Sequence, residues 1–513
     1  MLLLLAPLAL AGTSCDPIVT AVDEALLADA HCATTALMTG LERARDAGEA
    51  RCFDEAMVRR GLPAAATGLL LPRSPLPPDG EVTDGKLVRD ALVDPYPYQY
   101  ETDNFAVKWG SYARFSEENV HALADAFERA WAEEVVGWGF EAPRESDKYK
   151  FNVYIGDTDG GTPSSMGAAG YYYYDGDGWP MIVIAASQVR DEDSAASTAA
   201  HEFFHALQGQ IGGYQYQGQG AWYFESTAVW AEEQVYPEHV SASGFVVSFA
   251  YLPEYPLNFF DYPDTGTLAE LYQYGSFVFP RFLSDRYGGE FIKRSWEEAP
   301  LRGDPLVVIG GLLEEEGTDL AATFFDFAAH NATWDYPLGE NYRYWIDQWG
   351  GLSGGGSHAP SGTFRGVDES WRSPDEPPHT FGTNYWMISK PFVQTGLELE
   401  VEDPSVQWSL TLVERTGDEH VRTDIPVVDG RAAAELGDLS GRDELWLVVS
   451  AVASPVDRGL GYDYRLRLYE QYEEPEQPVQ EVEEPKGCAT APAGALGLWL
   501  LPLLGYRRRR DAP

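Results

Sequence analysis

Positive charge is what this sequence lacks most. Its 513 residues hold 36 Lys and Arg against 81 Asp and Glu, a formal net charge of −45. A surface that acidic repels phosphate, which excludes a nucleic-acid binder and docking on anionic lipid. Cysteine is nearly absent, with four in all. Cys15 and Cys488 lie in the end segments, which leaves Cys32 and Cys52 able to pair, and no spacing suggests a zinc finger or a redox dithiol. There is no Gly-rich phosphate loop, no Ser-nucleophile elbow and no internal repeat. Aromatics are plentiful, with 15 Trp, 29 Tyr and 23 Phe, which excludes wholesale disorder. At about 150 residues per domain the length allows two to four domains.

Both ends read as addresses. Leu2 to Ala11 is almost continuously apolar and ends in small residues, so residues 1–14 form a secretory signal segment. It lacks a basic start. Cys15 follows Gly12-Thr13-Ser14, where a lipoprotein site wants a large aliphatic residue in place of Gly12. Residues 15–95 are Ala-rich and then Pro-rich, as in a helical pro-segment or cap with a linker. At the other end, 473–487 is an acidic, Pro-rich linker. Residues 488–513 hold Cys488, sixteen residues from Ala491 to Tyr506 that are mostly apolar, and the block Arg507 to Arg510. That run is short for a membrane span, which needs about 20 residues, and the arginines would keep the end cytoplasmic.

Between the ends, hydropathy changes period. Phe105, Val107 and Trp109 alternate as in a strand, as do Phe151, Val153 and Ile155. Met181 to Ile184 reads as a strand buried on both faces. Ser116 opens a helix whose stripe is Val120, Leu123, Ala124, Phe127 and Trp131. From about Ser194 to Asn331 the pattern is mainly helical. After a break in 346–370 it turns all-β, with Leu397-Leu399-Val401, Trp408-Leu410-Leu412 and Tyr464-Leu466-Leu468 each alternating. The expected architecture is α+β: a catalytic domain at 96–345, of mixed sheet plus helical subdomain, followed by a β-sandwich at 371–472. The sandwich would be an accessory module that binds substrate or braces its neighbour.

The chemistry centres on His201-Glu202-Phe203-Phe204-His205, an H-E-x-x-H motif. Residues four apart share a helix face, so both imidazoles reach one metal ion, and Glu202 stands one step round to meet its water. Asp193 or Ser194 caps this helix, and Ser197 to Gln208 has no breaker. A catalytic zinc keeps three protein ligands. Nineteen residues separate His205 from Glu225, which lies past a Gly-rich loop from Gly209 to Gly220 and supplies the third.

These motifs resemble the gluzincin zinc metallopeptidases, nearest to the aminopeptidase N branch. That family follows H-E-x-x-H with Trp-x-x-Glu-Gly-x-Ala, and Trp222, Glu225 and Ala228 match while Ser226 replaces Gly. The resemblance implies a thermolysin-like fold, with zinc held by His201, His205 and Glu225 and Glu202 as general base. It also implies an acid seven residues after the ligand that orients a ligand histidine from behind, where Glu232 stands beside Glu233. The family's Tyr-x-Lys-Gly is similar to Tyr272-Gln273-Tyr274-Gly275, which makes Tyr272 the expected oxyanion donor and puts Tyr274 in the place of Lys. The family's Gly-x-Met-Glu-Asn is missing, so an endopeptidase is expected rather than an aminopeptidase.

The tail resembles myxobacterial C-terminal sorting signals, in which Gly-Cys precedes a short apolar helix and an arginine cluster. It implies a C-terminal sorting protease as partner and display at the cell surface or outer membrane, with release as an alternative. A plain tail anchor is the other reading, and membrane contact is expected only there. The expected substrate is protein or peptide. Two rival readings stand: a surface binding protein with a structural or degenerate zinc site, and a zinc hydrolase of non-peptide bonds. Asp157-Thr158-Asp159-Gly160 and Asp175-Gly176-Asp177-Gly178 faintly resemble Ca2+ loops, but both lack the far acid and also suit hairpin turns.

Overall fold

A computed structural model describes residues 86–470 apart from 90–95, 159–162, 176–177, 217, 240–241, 262–266, 351–357, 359, 367–369, 391–393 and 454–460. The signal segment 1–14, the three cysteines Cys15, Cys32 and Cys52, nearly all of the 15–95 segment, and the linker and tail 473–513 lie outside the described residues. The fold is α+β, built from three sheets and ten α-helices among the described residues.

The first sheet has the order β1-β2-β3-β5-β4. Its strands are β1 (Tyr98–Glu101), β2 (Phe105–Trp109), β3 (Phe151–Gly156), β4 (Gly170–Tyr174) and β5 (Pro180–Ala185). β2, β3 and β5 are parallel, and the outer strands β1 and β4 run antiparallel to their neighbours. Phe105, Val107, Phe151, Val153, Ile155, Ile182 and Ile184 face a core shared with two helices. The first, α1 (Glu117–Ala130), is capped by Ser116, which exchanges hydrogen bonds with Asn119. Its buried stripe is Val120, Leu123, Ala124 and Phe127.

The second, α2 (Glu192–Ile211), carries the H-E-x-x-H motif. Asp191 caps it, rather than Asp193 or Ser194, and accepts from the Ser194 amide at 2.9 Å. Asp193 sits instead in the first turn beside Glu192, where the helix dipole favours acids. The helix also runs through Gly209 to Ile211, so the connecting loop starts at Gly212. α2 lies on the sheet with Phe203 edge-on to Phe105 and Phe151, at 5.3 and 6.2 Å. α3 (Ala221–Val235) packs beside it and is buried almost all round. A helix with no wet face must find a partner for every polar side chain, and that requirement shapes the site below.

Seven further helices follow: α4 (Val246–Tyr251), α5 (Tyr272–Gly275), α6 (Val278–Tyr287), α7 (Gly289–Glu297), α8 (Pro305–Glu315), α9 (Leu320–Asn331) and α10 (Gly339–Gly350). α10 thus occupies the start of the stretch expected as a linker. No helix among the described residues is long and apolar enough to cross a membrane.

The remaining strands are β6 (Gly362–Arg365), β7 (Gly382–Lys390), β8 (Thr395–Val401), β9 (Gln407–Thr416), β10 (Glu419–Asp424), β11 (Arg431–Gly437), β12 (Glu444–Val452) and β13 (Tyr464–Glu470). They form a five-stranded sheet β10-β9-β12-β7-β6 and a three-stranded sheet β11-β8-β13. Leu410, Leu412, Leu445, Leu447 and Val449 of one share a core with Leu397, Leu399, Leu466 and Leu468 of the other. On β8 the alternate residues Glu398 and Glu400 point outward and pair with Arg467 and Arg465 of β13. The five-stranded sheet is covered on its far side by α9. Ala328, Ala329 and Ala332 bring that helix close to Tyr385, Val413, Trp446 and Val448. Backbone hydrogen bonds also tie the loop at Pro253–Leu257 to Phe381 and Thr383, at 2.7 to 2.9 Å. The described residues all fall in one compact unit.

Candidate metal centre

His201 and His205 stand one turn apart on α2, and Glu225 faces them from the second turn of α3. Three atoms converge. The two Nε2 atoms are 3.1 Å apart, and Glu225 Oε2 lies 3.3 Å from His201 Nε2 and 3.5 Å from His205 Nε2. A tetrahedral zinc with bonds of about 2.0–2.1 Å has ligand–ligand edges of about 3.3–3.4 Å. The donor set, its spacing and its burial fit one metal ion.

Each of the three side chains is oriented from behind. His201 Nδ1 meets Glu232 Oε1 at 2.6 Å, and Ser197 donates to the other oxygen of that carboxylate. Glu225 and Glu232 are two turns apart on α3, hence on one face. Glu233 is rotated away and meets Arg281, Tyr342 and Ser243 instead, so Glu232 is the acid behind the histidine. Tyr216, on the loop between the helices, donates to Glu225 Oε1 at 2.6 Å and leaves Oε2 facing the histidines. His205 Nδ1 meets Gln208 Oε1 at 2.6 Å. Spacing alone offered a signal for Gln208, a polar residue three places after His205 on a helix otherwise lined with Ala, Phe and Leu. Nothing in the sequence singled out Tyr216.

The electrostatics follow from burial. Burial pushes the Glu202 carboxyl above its ordinary range, and the nearby His201 and His205 only partly offset this. Its Oε2 has no hydrogen-bond partner among the described residues. Burial also opposes ionisation of Glu225, but His205 and His201 overcome it and hold this carboxyl well below the usual carboxylate range.

Of the two tyrosines in the expected oxyanion motif, the structure brings only one to the cluster. Tyr272 is 1% exposed, packs among Phe249, Tyr255 and Phe259, and donates to the Tyr255 carbonyl at 3.3 Å. Tyr274 lies two residues on and points the other way. Its ring centroid is 6.2 Å from that of His201, and it lies within the electrostatic reach of Glu225. Burial, then the charges of Glu225, Glu202 and Glu232, raise its pKa well above the ordinary value, so it remains a neutral phenol.

The edge strand β4 borders this cluster. Among the described residues it pairs only with β5. Gly170 lies against Glu202 so closely that an added Cβ would stand 2.9 Å from Glu202 Cγ and 3.1 Å from Oε1. A second close approach sits further along α2, where Tyr172 occupies the space beside Gly209.

The stretches resembling calcium loops are described only in part, because Asp159, Gly160, Gly176 and Asp177 lie outside the described residues. Asp175 forms a buried ion pair with Arg89 at 2.7 Å and accepts from the Trp179 amide. Asp157 accepts from the Ser165 amide at 3.0 Å.

A family model described as a family of unknown function, DUF6055, matches residues 76–455, a stretch that contains every residue of this cluster. No curated protein matches the chain.

Proposed function

The chain belongs to the DUF6055 family, whose function is unknown, and from the geometry of its metal centre we propose that it is an exported zinc metallopeptidase. The observation that supports this most is the triangle of His201, His205 and Glu225 donor atoms, with edges of 3.1, 3.3 and 3.5 Å, together with a Glu202 carboxylate oxygen that has no partner among the described residues. A structural metal site needs ligands and gains nothing from a buried, unpartnered Glu202. A hydrolase needs that group as its base.

Zinc held by the triad would supply a Lewis acid that polarises the scissile carbonyl and lowers the pKa of water toward about 7. Glu202 takes the proton from the attacking water and returns it to the leaving amine. Its raised affinity for protons suits both steps. Tyr274, rather than Tyr272, donates to the oxyanion, and as a neutral phenol it adds no competing charge. Among the described residues β4 has a strand on one side only, and an extended peptide can run alongside it next to Glu202. This edge favours a peptide over a glycan or lipid substrate.

The first sheet with α2 and α3 makes a thermolysin-like catalytic domain, and β6–β13 make the accessory β-sandwich. The sheet against the H-E-x-x-H helix supports the former, and the core shared by two sheets supports the latter. The packing of α9 on the five-stranded sheet favours a bracing role for the sandwich. Export and surface display rest on the signal-like start and the Gly-Cys, apolar, arginine tail.

The test is a casein digest with metal analysis. The purified protein should hold one zinc per chain and cleave casein until a chelator is added. Glu202→Gln should keep the zinc and lose about 10²–10⁴-fold in turnover, the usual contribution of a general base. A metal-free wild type with no affinity for zinc, or a fully active Glu202→Gln, would overturn the reading.

A further inference from the structure

We propose that Gln208 is a positioning residue that sets the tautomer of His205, so that α3 controls a ligand borne by α2. The inference rests on the zinc site proposed above and assigns a role to a residue outside the triad.

The argument runs through hydrogen-bond polarity. Gln208 is fully buried, one turn beyond His205. Its amide has a donating end and an accepting end, which look alike except for their partners. Gln208 Nε2 lies 3.0 Å from the Phe224 carbonyl and 2.9 Å from Thr227 Oγ1. A carbonyl can only accept, so the NH2 end must face α3. Thr227 agrees, because its hydroxyl hydrogen is already given to the Tyr223 carbonyl at 2.6 Å. Only its lone pairs remain for Gln208.

With the NH2 end fixed, Oε1 is the atom 2.6 Å from His205 Nδ1. An amide oxygen can only accept, so Nδ1 must carry the hydrogen. The lone pair is then on Nε2, the atom 3.1 Å from His201 Nε2 and 3.5 Å from Glu225 Oε2. A neutral imidazole binds metal through its unprotonated nitrogen, and the hydrogen bond at the other nitrogen decides which one that is. The chain of polarity thus starts at the backbone of α3, passes through Thr227 and Gln208, and ends at the metal-facing atom of His205.

The choice of an amide also has a reason. His201 already has a carboxylate behind it, Glu232, and Glu202 and Glu225 crowd the same buried space. A carboxylate at 208 would add a fourth acid and face the Phe224 carbonyl with a second acceptor. Gln provides the same acceptor for His205 without that charge, and a donor where α3 requires one.

Two variants separate positioning from mere packing. Gln208→Met fills similar space without a strong acceptor, while Gln208→Glu keeps the acceptor but turns an oxygen on Phe224. Both should lower the Tm of the metal-free protein. They should differ in zinc affinity, measured by competition with a chromophoric chelator. Gln208→Met should bind zinc about 10–100-fold more weakly than wild type, the usual effect of removing such a partner. Gln208→Glu should bind as tightly as wild type or tighter, because a carboxylate makes the ring more basic. Affinity that falls equally in both variants, in step with Tm, would assign Gln208 to packing and overturn the proposal. Wild-type affinity in Gln208→Met would do so as well. A wild-type protein that fails to bind zinc would instead sink the proposed function, which keeps the two failures apart. Should Gln208→Met not fold, weakened zinc binding in a folded Gln208→Glu still counts against the proposal.

Discussion

Tyr272 and Tyr274 differ by two residues and by everything around them. The first is walled in by Phe249, Tyr255 and Phe259, and its hydroxyl is engaged by a backbone carbonyl. The second is half-buried, beside His201 and Glu225. α5 is a single turn, in which a step of two residues rotates a side chain by roughly 200°. Only one of the pair can therefore face the metal centre. Tyr274→Phe should keep its zinc and lose about 10²–10³-fold in turnover, the usual size of one lost oxyanion donor. Tyr272→Phe should keep near-normal turnover and lower Tm slightly, since its hydrogen bond is internal. The steady-state rates of the two variants decide the matter, and the reverse pattern would restore Tyr272 to the oxyanion.

The contact between β4 and α2 depends on having no side chain at Gly170. The strand passes so near Glu202 that a methyl group would stand 2.9 Å from its Cγ and 3.0 Å from Thr198 Cγ2. Neither atom is the free end of a flexible chain, so the base or the strand must shift. Gly170→Ala should leave zinc content intact, because it touches none of the three ligands. Its turnover should fall by about 10²-fold, the cost expected when a reacting group is misplaced by about 1 Å. Unchanged kcat/KM would show that the strand edge is not coupled to the base. The pairing of α2 with α3 is the other contact that builds the site. α3 contributes the Glu225 carboxylate that faces the two histidines, Glu232 behind His201, and the Phe224 carbonyl that orients Gln208.

At the scale of the whole molecule, the helical and β portions are joined by buried contacts rather than by a tether. His358 lies at the joint. It stacks on Tyr385 at 3.8 Å and on Trp334 at 4.6 Å, and its Nε2 is 2.8 Å from the Asn331 carbonyl. Burial holds its pKa down to about 3, against 6.5 when unfolded. A histidine that is charged only in the unfolded chain favours unfolding in acid. Its contribution to stability is complete above pH 6.5 and is lost as the pH falls from there toward 3. Between pH 7 and pH 5 that loss comes to about 2 kcal/mol. His358→Gln keeps a donor for Asn331 and removes the titration. Urea unfolding at the two pH values should show wild type losing about 2 kcal/mol more than the variant. Equal losses would mean that other groups govern acid unfolding.

The sequence determined by itself whatever depends on short spacing along one helix. The four-residue step of His201 and His205, the position of Glu202 between them, and the two-turn step from Glu225 to Glu232 are local geometry, fixed once the helices exist. The helix bearing the histidines was readable too, because a run without breakers and with a polar residue ahead of it leaves the backbone few alternatives. The alternation of Leu397, Leu399 and Leu466, Leu468 with charged residues likewise announced β structure. Tertiary structure decided whatever depends on which elements meet. The orientation of the Gln208 amide and the Tyr216 bond to Glu225 exist only because α3 and its loop return onto α2, and the sequence does not encode that return as a pattern. The exclusion of Tyr272 turned on the rotation of a one-turn helix, too short for periodicity to fix its phase. The edge strand β4, with four tyrosines in a row, shows no alternation of hydropathy to read. Its place beside Glu202 follows from its pairing with β5 and from the missing side chain at Gly170.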